Sequence, residues 1–353
     1  MTTKPKPTRY GEREDDIYSR ISNLLILARK TVVQSVNKTI VLTYFEIGRL
    51  IIEEEQSGKE RAAYGKEVLK ELSGRLTKEF GKGFSVENLD RMRYFYKTYS
   101  GRISSTSLTI FERGQAVFEE FSLSWSHYLM LMRVDNVDER KFYEIEATEN
   151  NWSLRELRRQ FDSALYERLA LSRNKAEIRK LSEKGQIIET AQDSLKEPYV
   201  LEFLGLPDDN KYSESELEQK LIDRLEHFLL ELGKGYTFVG RQVRFTFDDK
   251  HFRVDLVFYN RLLQCFVLLD LKIGEIAHQD IGQMQMYVNY YDRFVKLDTE
   301  NKTIGIILCK KKNDTLVAIT LPEHNEQIFA SKYQTVLPSK KELRELVNSK
   351  IEK

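Results

Sequence analysis

The stretch 252–272, FRVDLVFYNRLLQCFVLLDLK, decides how this chain is read. Phe266-Val267-Leu268-Leu269 is the apolar body of a central strand, and it ends in Asp270-Leu271-Lys272. Side chains two apart on a strand share a face, so Asp270 and Lys272 project together while Leu271 enters the other layer. The run before it, Phe252 to Tyr259, reads as a second strand, and Asn260-Arg261 falls where a hairpin turn is needed. Its one acid, Asp255, stands between Val254 and Leu256, a costly place for a carboxylate without compensation. A hairpin brings Asp255 beside Asp270. Two converging carboxylates raise each other's pKa unless a divalent cation neutralises them. Hard oxygen donors in small number suit Mg2+, which completes its shell with water and a substrate phosphate. Mn2+ is an acceptable substitute. Such a metal polarises the phosphate and acidifies a bound water, while Lys272 orients or deprotonates that water and offsets the developing charge.

Working outward, a helix from about Ser213 to Leu232 and a strand from Phe238 to Phe247 precede this stretch. A helix over 278–293 and a strand from Thr303 to Cys309 follow it, with Leu316 to Ile319 expected as one more strand. Helix, antiparallel meander, crossover helix and strand make an α/β layout with a mixed sheet, spanning about 201–345. Residues 173–200, charged and weakly periodic, read as a linker. Before it, residues 10–172 read as helical: Pro is absent between Pro7 and Pro198, and apolar residues such as Ile17, Ile21, Leu24, Leu25, Val41, Phe45 and Ile51 recur at helical steps. Residues 64–80 form an amphipathic helix, Gly81-Lys82-Gly83-Phe84 a turn, and Ser85 the N-cap of a second helix ending near Tyr99. That is the outline of a helix-turn-helix, whose second helix offers Arg91, Arg93 and Lys97 to a nucleic acid; an ordinary helical hairpin with a solvated face has the same outline. A second pair, 138–148 and 152–161, offers Arg155 and Arg158. Trp125 and Trp152 are expected as core anchors.

The 353 residues are 31% charged, yet the net charge is only +1, so any nucleic-acid surface has to be local. Cys265 and Cys309 lie far apart inside apolar runs, which argues against a disulfide framework and for a reducing compartment. No basic stretch followed by an apolar one opens the chain, and its apolar runs are too short for a bilayer. A cytoplasmic protein with no membrane partner is expected.

Asp255, followed by hydrophobic-Asp270-x-Lys272, resembles the signature of the PD-(D/E)XK nuclease superfamily. Val254 stands where that motif has proline, and Asp270 where glutamate is common. Gln283 to Tyr287, QMQMY, is similar to the Q-x-x-x-Y element of its RecB-like branch, and residues i and i+4 share a helix face. The resemblance implies a further metal-binding acid on the preceding helix, with Glu218 chosen among Glu214, Glu216 and Glu218. YFEIGRLI, YGKEVLKELSGRLTKEFGKGFSVENL, LSWSHY, WSLREL and DLVFYNRLLQCFVLLDLKIGE together resemble YhcG-type (DUF1016) proteins over about 15–340. That implies a bacterial, DNA-handling protein in which a helical, winged-helix-like N-terminal domain precedes a restriction-endonuclease-like α/β domain. The implied activity is Mg2+-dependent hydrolysis of DNA phosphodiesters, with Asp255, Asp270 and Glu218 on the metal, Lys272 on the water, and Gln283 and Tyr287 on the substrate. A non-cleaving nucleic-acid-binding scaffold and an RNA-directed nuclease are the alternatives, and a homodimer is left open.

Overall fold

Helical spacing without proline becomes helix over most of the described residues in the first part of the chain. The computed structural model describes residues 9–57, 62–101, 121–207, 211–247 and 249–352. They fall into two compact units: the described residues up to Arg140 with Ala147–Leu154, and Lys141–Glu146 with those from Arg155 onward.

The first unit contains α1 (Arg9–Ser57), α2 (Ala62–Phe80), α3 (Val86–Tyr99), α4 (Trp125–Leu131) and both ends of α5 (Val137–Glu149). Between α2 and α3 the turn needs Gly81 and Gly83, both at positive φ. The Ser85 side chain accepts from Asn88 N at 3.3 Å and starts α3 as its cap. Leu89 and Met92 of α3 pack on Ile51 and Leu69. Gly48 of α1 sits so close to the Met92 carbonyl that no Cβ fits. Trp125 anchors the core as expected, edge-on to Tyr44 at 5.0 Å and Phe95 at 5.2 Å. The periodicity of Ile17, Ile21, Leu24 and Leu25 does produce helix, but these side chains stay more than half exposed. Among the described residues this unit has no strand from which a wing could be built.

The second unit takes α6 (Leu154–Asp162), α7 (Leu165–Leu171), α8 (Lys175–Lys184), β1 (Tyr199–Val200), α9 (Glu214–Asp223) and α10 (Leu225–Leu232). There follow β2 (Tyr236–Phe247), β3 (Lys250–Asn260), β4 (Cys265–Glu275), α11 (His278–Phe294), β5 (Ile304–Lys311), α12 (Asp314–Thr320), β6 (Ile328–Gln334) and α13 (Lys340–Glu352). The sheet order is β1-β6-β5-β4-β3-β2. β2, β3 and β4 are an antiparallel meander, and the pairings of β4, β5, β6 and β1 are parallel, so the sheet is mixed. The 267/269/271 side of β4 packs with Leu217 and Leu221 of α9, and its Leu268 packs with Met284, Tyr287 and Val288 of α11. The sheet is therefore covered on both faces.

Three expectations need correction. Residues 316–319 are helix, because the Asn313 side chain accepts from Leu316 N and starts α12. The strand that the sheet uses lies further on, at β6. The segment 173–200 is folded rather than a bare linker: Asn174 and Glu177 form a capping box on α8, and β1 pairs in parallel with β6. Its weak periodicity reflects short elements. Likewise α6 beyond Leu154 and α7, expected with the helices of the first part, group with the sheet unit, as does α8.

Candidate active site

The candidate centre lies where β3 and β4 part. Their ladder runs from Asn260↔Cys265 to Leu256↔Leu269 and stops one step before Asp255 would meet Asp270. In its place the Asp255 carboxylate accepts the Leu271 N–H through Oδ2 at 2.9 Å. A side chain thus takes over a ladder bond, and the two acids come together as the hairpin reading requires.

The parting has a local cause. Val254 and Leu256 are two residues apart, which on a regular strand means one face. Here Val254 packs with the α11 side and Leu256 with the α9 side, so alternation breaks at Asp255. On the neighbouring strand Arg241 pairs with Leu256 and Val243 with Val254, and Gln242 between them has φ +46°. A non-glycine residue in that region costs roughly 1–3 kcal/mol and persists where surrounding structure enforces it. The Gln242 amide uses its Nε2 twice, donating to Asp255 Oδ1 at 3.1 Å and to Glu218 Oε2 at 2.5 Å. Sequence reasoning missed Gln242. Glutamine in a strand gives no signal, and its role depends on a backbone kink that periodicity does not encode.

Asp270 is 3% exposed. Burial, and then the charge of Asp255, push its carboxyl up to about 7 against the opposing Lys272. Lys272 Nζ lies 2.8 Å from Asp270 Oδ2 and 3.8 Å from Asp280 Oδ1. Burial alone would lower the Lys272 ammonium, but Asp270, Glu214 and Asp280 outweigh it and hold the group above the usual lysine range. In this arrangement Lys272 is a cation that orients and neutralises. It becomes a base only when Asp270's charge is engaged elsewhere. On α11 the Gln283 amide donates to the Tyr287 hydroxyl, and burial raises that phenol, with Asp270 and Asp255 adding to the rise. The Q-x-x-x-Y pair therefore faces the acids.

Two acid oxygens here are buried without a hydrogen bond: Asp270 Oδ2, whose contact with Lys272 is an ion pair only, and Glu218 Oε1, approached by Arg241 Nε at 3.4 Å. A buried carboxylate faced by a single ammonium and crowded by a second acid suits a hard cation. Among the described residues, however, no three acidic, histidine or cysteine side chains converge as a metal-holding group. Asp255 and Asp270 are the pair that fits. Glu218 joins them through the Gln242 amide, not as a third converging acid.

The basic residues divide. Arg93 is committed to ion pairs with Glu55 at 2.6 Å and Asp90 at 2.5 Å, so it braces α1 and α3. Arg91, Lys97, Arg155 and Arg158 are exposed on their helices. One more basic pair escaped sequence reading: Arg244 and Arg253 are register partners on β2 and β3, both exposed. Like charges directly opposite are unfavourable in a sheet, and neither arginine has an ion-pair partner among the described residues. The available signal was their equal distance from the Asp248-Asp249 turn.

Residues 192–348 match the family model of the YhcG PDDEXK nuclease domain, and residues 20–168 match that of the DUF1016 N-terminal domain. Over 347 residues the chain is 40% identical to the YhcG protein of Escherichia coli (strain K12), covering 93% of this chain and 92% of that one. Among solved structures, a repair endonuclease from Pyrococcus abyssi is similar at 16% identity, with a TM-score of 0.25 over 36% of this chain and 50% of that one. The chain spans about half of that structure, and so slight a likeness carries no argument. Two family models laid end to end and a relative matched over nearly its whole length establish that the chain belongs to the YhcG (DUF1016) family, with a nuclease domain of the PD-(D/E)XK type at its C-terminal end.

Proposed function

We propose that the chain hydrolyses phosphodiester bonds of DNA in a Mg2+-dependent reaction centred on Asp255, Asp270 and Lys272. The observation that carries this reading is the buried Asp270, raised by its neighbour Asp255 and faced by Lys272 at 2.8 Å. Asp255 and Asp270 would hold the metal, which when bound supplies a polarised phosphate and a water of lowered pKa. Asp255 is fixed for that task by Leu271 N and Gln242, so little reorganisation is needed. With Asp270 so engaged, Lys272 would lose the nearest of the acids that keep it protonated, with Glu214 and Asp280 remaining. Burial would then favour its neutral form, and once Nζ has released a proton to solvent it could take one from the attacking water. Gln283 and Tyr287 orient the substrate: because Gln283 donates to the Tyr287 oxygen, the phenolic proton is left for a phosphate oxygen. The unpaired Arg244 and Arg253 suit the phosphates that flank the cleaved bond, and Arg91, Lys97, Arg155 and Arg158 suit further backbone contacts.

The test is cleavage of linear duplex, single-stranded, branched and RNA substrates by wild type and Asp255→Ala, each with Mg2+, Mn2+ or EDTA. Cutting of DNA that requires both metal and Asp255 supports the reading. DNA binding without cleavage of any substrate would overturn it in favour of a scaffold, and preference for RNA would overturn the choice of DNA.

A further inference from the structure

The helix that carries Gln283 and Tyr287 continues past the candidate centre. Gln283, Tyr287, Tyr290 and Phe294 stand at i, i+4, i+7 and i+11 of α11, which is one stripe of the helix. Tyr290 and Phe294, at the far end of that stripe, border a cleft of about 330 Å³, near the lower end of the roughly 300–1,000 Å³ usual for ligand clefts. Phe245 and Phe247 of β2 also line it, with Asn289 and Arg293 as its polar residues. Phe245 stacks on Tyr290, with centroids 4.1 Å apart and planes at 21°, and meets Tyr287 edge-on at 5.5 Å. Ring contacts therefore run unbroken from the candidate centre to the cleft.

The two outermost rings are the unusual ones. Phe247 is 58% exposed and Phe294 is 65% exposed. Large aromatics set together in the open beside a cleft mark a binding surface more often than a solvated one. Arg293 has no ion-pair or hydrogen-bond partner among the described residues, and Asn289 offers its amide N–H groups. Flat π faces, an uncommitted guanidinium and an amide together match a nucleobase with its phosphate. A purely apolar ligand would leave Arg293 and Asn289 unused. In a closed duplex the base faces are already stacked on one another and cannot enter.

We infer that this cleft stacks an unpaired nucleobase of the DNA strand whose phosphate lies at the Asp255–Asp270–Lys272 centre, so that single-stranded or branched DNA is preferred over closed duplex. The inference rests on the nuclease reading for the identity of the ligand, but its test does not require cleavage.

The experiment uses the full chain in EDTA, with DNA carrying the fluorescent base 2-aminopurine either in a single strand or inside a closed duplex. Wild type should quench the single-strand probe by stacking and bind it at least tenfold more tightly than the duplex. Phe247→Ala combined with Phe294→Ala should weaken single-strand binding about tenfold and remove most of the quench, the scale of one lost base–aromatic stack. Arg293→Gln should weaken binding less and leave the quench. Ile319→Ala, an exposed apolar residue outside the cleft, should change neither. Because wild-type quenching is read first and both phenylalanines are exposed, the outcome does not hang on the folding of one variant. Equal affinity for duplex and single strand, an undiminished quench in the double variant, or no binding by wild type overturns the inference. So does sedimentation showing that the double variant only separates a dimer. Failure of cleavage on every substrate, with the quench intact, instead overturns the nuclease reading alone.

Discussion

Glu231 and Asp270 are both buried acids of the same unit, and they are treated in opposite ways. Glu231 is 0% exposed, and burial alone would raise its carboxyl. Arg168 Nη1 at 2.5 Å, the Lys196 charge and Val200 N at 2.9 Å outweigh that, and the group is held below the ordinary range. Arg168 is itself satisfied, donating to the Ser163 carbonyl at 2.8 Å and the Pro198 carbonyl at 3.1 Å, and Lys196 donates to the Glu231 carbonyl. The Glu231 carboxylate is thus answered by two cations and a backbone N–H, although burial still pushes the Lys196 ammonium down to about 8. Asp270 has one cation, against which burial and then a second carboxylate act, and it rises to about 7. A fold that neutralises one buried acid completely and sets another beside a like charge is separating structure from chemistry.

The comparison can be broken in four ways. The largest effect is expected in cleavage. Asp255→Ala and Asp270→Asn should each lower the rate by about 10³-fold or more, since each removes several kcal/mol of metal-supplied stabilisation at about 1.4 kcal/mol per tenfold; single-turnover kinetics check it. Next, Glu231→Ala should cost about 3–5 kcal/mol in urea unfolding because Arg168 and Lys196 are left buried without their acid. A loss below about 1 kcal/mol would mean that the cluster is no more than neutral. Third, Asp270 should make the metal-free protein less stable as pH rises. Its folded pKa lies above its ordinary value of 3.8, so the stabilising protonated form is fully present below about 4 and is lost on the way to about 7. The fall should be a few kcal/mol at about 1.4 kcal/mol per unit, absent in Asp270→Asn and reduced by Mg2+. A melting temperature flat across that window removes the contrast with Glu231. Smallest is Gln242→Gly, which relieves the positive φ and should leave stability unchanged or raised by about 1 kcal/mol while slowing cleavage ten- to hundredfold. Equal loss in both would make Gln242 a packing residue.

The legible parts of the site share one property: they are set by spacing along a single element. Asp270 and Lys272 two apart on β4, Gln283 and Tyr287 four apart on α11, and the β3–β4 hairpin that pairs the acids all follow from local geometry. Ser85 as a cap was legible for the same reason. Arg93 was misplaced because its partner, Glu55, lies on another helix, and β6 was missed because Ile328-Phe329-Ala330 is a short apolar run broken by Ser331 and Lys332.

By itself the sequence determined the helical first part, the antiparallel meander and the juxtaposition of Asp255, Asp270 and Lys272, because hydrophobic period and turn chemistry act over a few residues. Only the tertiary structure decided that Gln242 joins Glu218 to Asp255, that β1 closes the far edge of the sheet, that Arg244 faces Arg253 unpaired, and that α11 borders an aromatic cleft beyond its Gln283–Tyr287 turn. Each of these depends on strand register or on a backbone kink. Register is fixed by the burial of whole faces across segments distant in sequence, a quantity that no local stretch contains.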